Sequence, residues 1–286
     1  MASSDTWRHG FLETNGVRLH YVTQGQGPLM LFLHGFPEFW YSWRHQLTEF
    51  AADYTCVALD LRGYNESDKP AGVEAYRLEV LIEDVAGAIR ALGFERCTLV
   101  GHDWGGAIAW ALAYAHPQRL DALITLNIPH PAKFAAGLRT PQQLMRSWYI
   151  ALFQLPLLPE LLLQGADYWL IEQIFWGMAV RKAAFSEADL QAYKTAAAQP
   201  SALTAMVNYY RALPLSTGLM QTWPTLEVPT LLIWGEDDAA LGKELTVGTE
   251  DYVRDFHLRY IPRCSHWVQQ EQPELVNTYM REFLTL

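Results

Sequence analysis

The sequence predicts an α/β fold: a mostly parallel central sheet, flanked by helices and interrupted by an inserted helical cap. Three observations predict it. Strand and helix signals alternate along residues 1–131, the alternation stops over residues 132–222, and strand signals return in residues 223–286. We therefore expect the first and last of these segments to form one core, and the middle segment to form the cap.

Short apolar runs mark the expected strands of the first segment, and helical spacing of apolar residues marks the helices between them. Gly93 and Pro117 each follow a helical pattern as stop signals. The strands are expected at residues 19–23, 29–33, 54–59, 97–100 and 120–126, and the helices at residues 80–92 and 106–115. Strands that are apolar along most of their length are typical of a parallel sheet with both faces covered.

The middle segment is rich in Leu, Ala, Gln, Trp and Tyr, and its apolar residues have helical spacing. Strands return at residues 230–234 and 257–261, and a last helix is expected at residues 273–284. In open α/β sheets, ligands bind beyond the carboxyl ends of the strands. An insertion that leaves the sheet at that edge would roof the binding site.

Charge and cysteine content narrow the possible partners and the compartment. The 286 residues include 21 Lys and Arg against 31 Asp and Glu, a net charge of −10, which argues against nucleic acid as a partner. Cys56, Cys97 and Cys264 lie too far apart for a disulfide framework or a zinc site, so we expect a reduced, cytoplasmic location. Prolines and polar residues interrupt the apolar stretch at residues 148–163, and no membrane-spanning segment is expected.

The sharpest local motif is Gly101-His102-Asp103-Trp104-Gly105, which joins a predicted strand to a predicted helix. It has the glycine-x-nucleophile-x-glycine form of a nucleophile elbow, with Asp103 where serine hydrolases carry serine. Glycine on both sides allows the strained turn that exposes the nucleophile. An ordinary Asx-type turn that caps the next helix is the alternative interpretation.

A second motif, His34-Gly35-Phe36-Pro37-Glu38, ends an upstream strand. In elbow enzymes this loop supplies one backbone N–H of the oxyanion hole, and the residue after the nucleophile supplies the other. Here these donors would be the amides of Phe36 and Trp104, since Pro37 has no N–H. His34 and His102 are expected to be hydrogen-bonding scaffold residues.

Two further motifs follow the last two predicted strands. Glu236, Asp237 and Asp238 come directly after one strand, and His266 lies just after the other. The chain order of Asp103, an acid and then His266 matches the nucleophile–acid–histidine order of α/β-hydrolases. This coincidence predicts catalysis through the set, with either Asp237 or Asp238 as the acid.

From about Gly16 to its end, the chain resembles the epoxide hydrolases of the α/β-hydrolase fold. The resemblance rests on HGFPE (residues 34–38), GHDWGG (residues 101–106), WGEDD (residues 234–238) and CSHW (residues 264–267). It implies that Asp103 is the nucleophile and that a histidine–aspartate pair assists it, and its register favours Asp238. It also implies two cap tyrosines that hold the epoxide oxygen, which would be Tyr149 and Tyr210.

The implied reaction opens an epoxide to a vicinal diol through an alkyl ester on Asp103, which water activated by His266 then hydrolyses. Such an enzyme is a hydrolase acting on ether bonds. A carboxylate suits this chemistry because it needs no base to ionise and leaves an ester that water can cleave. Phenols suit the leaving oxygen because Tyr can donate a proton while remaining neutral at pH 7.

The closest alternative is a haloalkane or haloacetate dehalogenase with the same Asp nucleophile. A departing halide needs no proton, so phenols at both cap positions favour an oxygen leaving group. A non-catalytic binding protein is disfavoured, because no member of the set is missing. The expected partners are a neutral, largely apolar epoxide and water, without cofactor or metal, and the sequence leaves monomer or homodimer open. Trp104, Trp148 and Phe153 are the candidates for the pocket wall.

Overall fold

The computed structural model describes residues 7–216 and 223–285, and within them one sheet of eight strands forms the centre. The strands lie in the order β1-β2-β4-β3-β5-β6-β7-β8. The first two are antiparallel to their neighbours, and all other pairs are parallel. The strands are β1 Arg8–Thr14, β2 Val17–Gln24, β3 Leu29–Leu33, β4 Thr55–Leu59, β5 Cys97–His102, β6 Leu120–Leu126, β7 Thr230–Gly235 and β8 Phe256–Ile261.

Strand β1 is the one strand of this sheet that the sequence analysis missed, and the core helices α1 and α10 were not predicted either. It forms a hairpin with β2 through Asn15 and Gly16, whose φ angles are 45° and 74°. Positive φ at both central residues is the geometry of a type I′ turn, which Asn-Gly favours. Most β1 side chains are at least partly exposed, so the strand lacks the apolar run that marked the others. The Asn15-Gly16 dipeptide was therefore the feature of the sequence that could have revealed this hairpin.

Helices cover both faces of this sheet. The core helices are α1 Arg44–Phe50, α2 Leu78–Ala91, α3 Asp103–Ala115, α10 Val268–Glu271 and α11 Pro273–Leu284. Helix α3 begins at Asp103, three residues earlier than predicted, and packs between β5 and β6. Its residues from Trp104 to Ala113 are buried almost without interruption, because the helix lies against the sheet with other elements around it.

Six α-helices, and no strand, occupy the described residues between β6 and β7. They are α4 Pro131–Gly137, α5 Pro141–Arg146, α6 Trp148–Leu152, α7 Leu158–Glu172, α8 Glu187–Ala197 and α9 Ala202–Arg211. The predicted boundary at residues 222 and 223 falls beside residues 217–222, which lie outside the described part of the chain. Among the helices that the structure describes, none is long and apolar enough to cross a bilayer.

Candidate active site

The turn from β5 into α3 places Asp103 in a conformation that the surrounding backbone enforces. Asp103 has φ +48°, in the left-handed region that non-glycine residues seldom adopt. A Cβ atom on Gly101 would lie 2.6 Å from the carbonyl oxygen of Gly105, and one on Gly105 would lie 2.2 Å from that of Leu33. Both glycines are therefore required for the close approach of strand and helix, and the turn presents the Asp103 carboxylate at the sheet edge.

The Asp103 carboxylate has a distinct partner on each oxygen. Oδ1 accepts a hydrogen bond of 2.8 Å from the backbone N–H of Phe36, and Oδ2 lies 3.6 Å from Nε2 of His266. Burial by itself raises the pKa of this carboxyl, but the hydrogen bond and charge of His266, the charge of His102 and the Phe36 N–H together lower it. Asp103 is thus an ionised carboxylate at neutral pH.

His266 lies between two carboxylates. Its Nδ1 is 2.7 Å from Oδ2 of Asp238, on the side of the ring opposite Asp103. Burial lowers the pKa of this imidazole, but the charge of Asp238 and the hydrogen bonds to both carboxylates raise it well above its ordinary value. In the free enzyme His266 is therefore held as an imidazolium, oriented by Asp238.

Asp238 is fixed by donors from two directions. The side-chain amide of Asn127 donates to Oδ2 at 2.7 Å, and the backbone N–H groups of Ala240 and Leu241 donate to Oδ1 at 2.8 and 3.0 Å. Burial raises the pKa of this carboxyl, whereas His266 and these donors lower it below its ordinary value. The neighbouring Asp237 is exposed, so the structure brings Asp238 to the histidine.

Asn127 is a supporting residue whose role the sequence analysis missed. It directly follows β6, has φ 43°, and accepts a hydrogen bond from the backbone N–H of Gly235 through its own Oδ1. Its amide therefore ties the end of β7 to the Asp238 carboxylate. A polar residue directly after a buried strand, at the same sheet edge as the other site residues, was the signal that pointed to it.

His102 holds the backbone of His266 in place. Its Nε2 lies 2.9 Å from the backbone carbonyl of His266, and its Nδ1 lies 2.7 Å from Oε2 of the buried Glu38. Since a carbonyl only accepts, Nε2 of His102 carries the hydrogen of that bond. The Glu38 carboxylate also accepts hydrogen bonds from the Gly35 N–H and from the side-chain amides of Gln269 and Gln270.

Two cap tyrosines face the same space as Asp103. Tyr149 on α6 and Tyr210 on α9 have ring centroids 5.9 Å apart, and both line the cavity that contains the Asp103 carboxylate. Burial, together with the negative charge of Asp103, raises the pKa of both phenols above the ordinary value. Both remain protonated donors at neutral pH. Tyr210 is held edge-on by Trp104 and Phe153, at centroid distances of 5.2 and 4.8 Å.

The cavity, of about 170 Å³, is almost wholly apolar. Asp103 is its one charged lining residue among those described, and Tyr149 and Tyr210 supply its hydroxyl groups, so the wall suits an uncharged substrate. The remaining wall residues are Leu78, Ala107, Ala111, Ile128, Pro129, Pro131, Phe134, Ile150, Leu213, Trp223 and Leu241.

Two of the three predicted wall residues lie elsewhere. Trp104 lines the cavity, but the prediction of Trp148 is wrong, because its side chain is 64% exposed on the outer face of α6. Phe153 is buried but packs behind Tyr210, against Phe36, and does not reach the wall. In a helix of five residues, the sequence spacing did not determine which side faces inward.

Comparison with known proteins identifies the family. Residues 28–273 match the family model described as the alpha/beta hydrolase fold. The chain is 44% identical to epoxide hydrolase 4 of Mus musculus over an alignment of 285 residues. This alignment covers 96% of this chain and 78% of that protein. The chain belongs to the epoxide hydrolase family of the α/β-hydrolase fold.

Other hydrolases match nearly the whole length of the chain at various levels of identity. AB hydrolase superfamily protein YfhM of Bacillus subtilis is 44% identical, over 96% of each chain. The solved Bacillus megaterium epoxide hydrolase superposes with a TM-score of 0.92 and 38% identity, over 97% of this chain and 100% of that one. Epoxide hydrolase VrEH1 from Vigna radiata gives a TM-score of 0.87 and 27% identity, over 100% and 99%. The fold class and the family expected from the sequence are thereby confirmed.

Proposed function

We propose that this member of the epoxide hydrolase family converts a neutral, apolar epoxide to its vicinal diol through a covalent ester on Asp103. One observation carries the proposal: an ionised Asp103 and two protonated phenols, Tyr149 and Tyr210, line one small and otherwise mainly apolar cavity. Nucleophile and proton donors on one small cavity are what ring opening of an epoxide requires. The names of the relatives support the same activity.

In the first half-reaction, an Asp103 oxygen attacks an epoxide carbon. A carbon–oxygen bond of the ring breaks as the new ester bond forms, and the departing oxygen takes a proton from a phenol. Both Tyr149 and Tyr210 are ready to donate this proton, because burial raises the pKa of both phenols and keeps them protonated. The apolar wall excludes water and thereby strengthens these hydrogen bonds.

In the second half-reaction, the His266 imidazolium first loses its proton, and this proton restores the phenol that ring opening left as a phenolate. The neutral imidazole then removes a proton from water, and the resulting hydroxide attacks the Asp103 ester carbonyl. Negative charge develops on the carbonyl oxygen, where the Phe36 N–H already donates to the Asp103 carboxylate. The backbone N–H of Trp104 lies in the first turn of α3, where helix geometry provides no intrahelical acceptor. It supplies the second donor. Collapse of the intermediate releases the diol and restores the carboxylate.

The cavity supports a substrate with an apolar, aromatic substituent. Trp104, Phe134 and Trp223 contribute aromatic surface to the wall, and no charged side chain other than Asp103 lies among the described lining residues. A mutant of the Bacillus megaterium enzyme has been solved with its product, (R)-3-[1]naphthyloxy-propane-1,2-diol. We therefore propose aryl and aryloxy epoxides as the substrate class.

The remaining parts of the proposal concern the cap and the location. Helices α4–α9 support residues 132–222 as the cap, because they carry both tyrosines over the sheet edge. The three cysteines are buried and unpaired, which supports a reducing, cytoplasmic location. The net charge of −10 supports the absence of a nucleic-acid partner.

A substrate screen tests the proposed reaction against the dehalogenase alternative. We expect diol from styrene oxide and from phenyl glycidyl ether, and no halide release from 1-chlorobutane or fluoroacetate, because only an alkoxide leaving group needs the two phenols. Diol is measured by chromatography and halide by ion-selective electrode. Halide release without diol formation would replace this proposal with the dehalogenase.

Asp238→Asn should slow ester hydrolysis far more than Asp237→Asn. Asp238 orients His266 from 2.7 Å and stabilises its charge, whereas Asp237 is exposed. The loss of a comparable orienting aspartate costs on the order of 10⁴-fold in kcat. Decay of the ester in single-turnover experiments measures the effect, with Asp237→Asn as the matched control. The reverse order of the two variants would assign the role to Asp237.

The rate of ester hydrolysis should increase with pH. The midpoint of this increase should lie below the pKa that His266 has in the free enzyme. In the free enzyme two carboxylates raise the pKa of His266, but the ester removes the charge of Asp103 and leaves only Asp238. The histidine then releases its proton more readily and becomes a base. Rapid-quench decay of the ester gives one midpoint and NMR titration of the His266 ring gives the other. Equal midpoints would show that Asp103 does not tune the base.

A further inference from the structure

Exposed apolar side chains concentrate in one stretch of the cap, from α5 to the first turn of α7. Five of them, Leu144, Met145, Trp148, Leu157 and Leu161, are each 60–75% exposed. Among the described residues outside residues 144–162, Val247 is the one large hydrophobic side chain exposed to a similar degree, at 64%. We refer to these five residues as the apolar cap face. Large exposed apolar patches mark interaction sites, because solvation of such a surface is unfavourable.

The apolar cap face is also nearly free of charge. Residues 140–166 contain two charged residues, Arg146 and Glu160. Arg146 lies 3.6 Å from Glu244, and Glu160, whose side chain is 14% exposed, lies 2.6 Å from Arg211. Both charges are thus engaged with partners, and this face presents leucine, methionine and tryptophan side chains to solvent.

The charge of the chain is divided unevenly between cap and core. Residues 132–222 contain seven Lys and Arg against five Asp and Glu, a net charge of +2. The other residues contain fourteen against twenty-six, a net charge of −12. A negatively charged surface therefore attracts the cap and repels the core, which orients the apolar cap face toward it. Two copies joined cap to cap would instead bring two positively charged segments together.

We propose that the apolar cap face docks on a lipid bilayer surface that carries anionic headgroups. Leucine and tryptophan on short helices, in a segment of net positive charge and with no membrane-spanning helix among the described residues, are the features of interfacial binding. Helix α6 links this face to the cavity, because Trp148 points outward while Tyr149 and Ile150 line the inner wall. Docking would place the cap helices beside the bilayer that holds apolar substrates.

Co-sedimentation with vesicles tests the docking. The full chain should bind vesicles of phosphatidylcholine mixed with phosphatidylglycerol more strongly than vesicles of phosphatidylcholine alone, and high salt should reduce this difference. The variant Leu157→Asn/Leu161→Gln should lose roughly tenfold in partitioning for each leucine. Val247→Gln, which removes an equally exposed apolar side chain outside the cap, should bind like the wild type.

Two further measurements keep every outcome decisive. Met145→Gln, on α5, tests the same face independently if the double variant is unstable by circular dichroism. Turnover of a water-soluble epoxide without vesicles should be unchanged in all variants, since none of these residues lines the cavity, and this separates docking from catalysis. The absence of wild-type binding, or binding by Leu157→Asn/Leu161→Gln and Met145→Gln equal to that of the wild type, would overturn the proposal. A wild-type dimer that the double variant converts to monomer in sedimentation velocity would assign the face to a second copy.

Discussion

Replacement of His266 by glutamine is expected to accumulate the enzyme as an ester on Asp103 and to reduce steady-state turnover by on the order of 10⁴-fold or more. In the proposed mechanism, attack on the epoxide requires only the carboxylate and the phenols, so the ester should still form. Its hydrolysis requires a base, and glutamine cannot take the proton from water. Intact-protein mass spectrometry of a sample quenched during turnover should show an adduct of substrate mass, and peptide mapping should place it on Asp103.

The matched control for this trap is the double variant Asp103→Asn/His266→Gln. It keeps the shape of the site but removes the ionised oxygen that the backbone of Phe36 and the ring of His266 hold in place. We expect no adduct from it under the same exposure to substrate. An adduct on another residue, or none on the single variant while diol still forms, would exclude the covalent mechanism through Asp103.

The sheet and the positions of the polar site residues were predictable because both depend on local patterns. Buried parallel strands appear as short apolar runs, and the residue that follows each run lies at the same edge of the sheet. Asp103, Asp238 and His266 each follow a strand closely, so a correct strand assignment already brought them together. The spacing of Gly101 and Gly105 identified the elbow, because the backbone contacts at those positions exclude any side chain.

The cavity wall was not predictable in this way. Its residues converge from α2, α3, α4, α6, α9 and the segments near Ile128, Leu213, Trp223 and Leu241, and no local pattern records that convergence. The rotation of a short helix is set by its tertiary contacts, which is why Trp148 faces solvent while Tyr149 and Ile150 face the cavity. The choice between Asp237 and Asp238 likewise depends on the loop after β7, where Asn127 and two backbone amides bind Asp238.

Removal of both phenols, in Tyr149→Phe/Tyr210→Phe, should slow formation of the Asp103 ester by more than about 10³-fold, while each single variant loses less than about 10²-fold. The loss of one oxyanion donor in another enzyme costs on the order of 10²–10³ in kcat. Here the two rings line one cavity with centroids 5.9 Å apart, so either phenol still reaches the departing oxygen when the other is gone. The double effect should therefore exceed the product of the single effects, because each donor can replace the other and only the double variant leaves the departing oxygen without one.

The loss of rate should be confined to the first half-reaction. In the proposed mechanism, the charge that develops in the second half-reaction is stabilised by the backbone amides of Phe36 and Trp104, and not by the phenols. Stopped-flow Trp fluorescence separates the two steps, since Trp104 adjoins the nucleophile and packs 5.2 Å from Tyr210. Tyr209→Phe is the matched control: its buried hydroxyl donates to the backbone carbonyl of Arg62, and it does not line the cavity. That variant should be less stable yet form the ester at the wild-type rate. If the double variant also formed the ester at the wild-type rate, the leaving oxygen would have to be protonated by another group, and the two tyrosines would be packing residues of the cap.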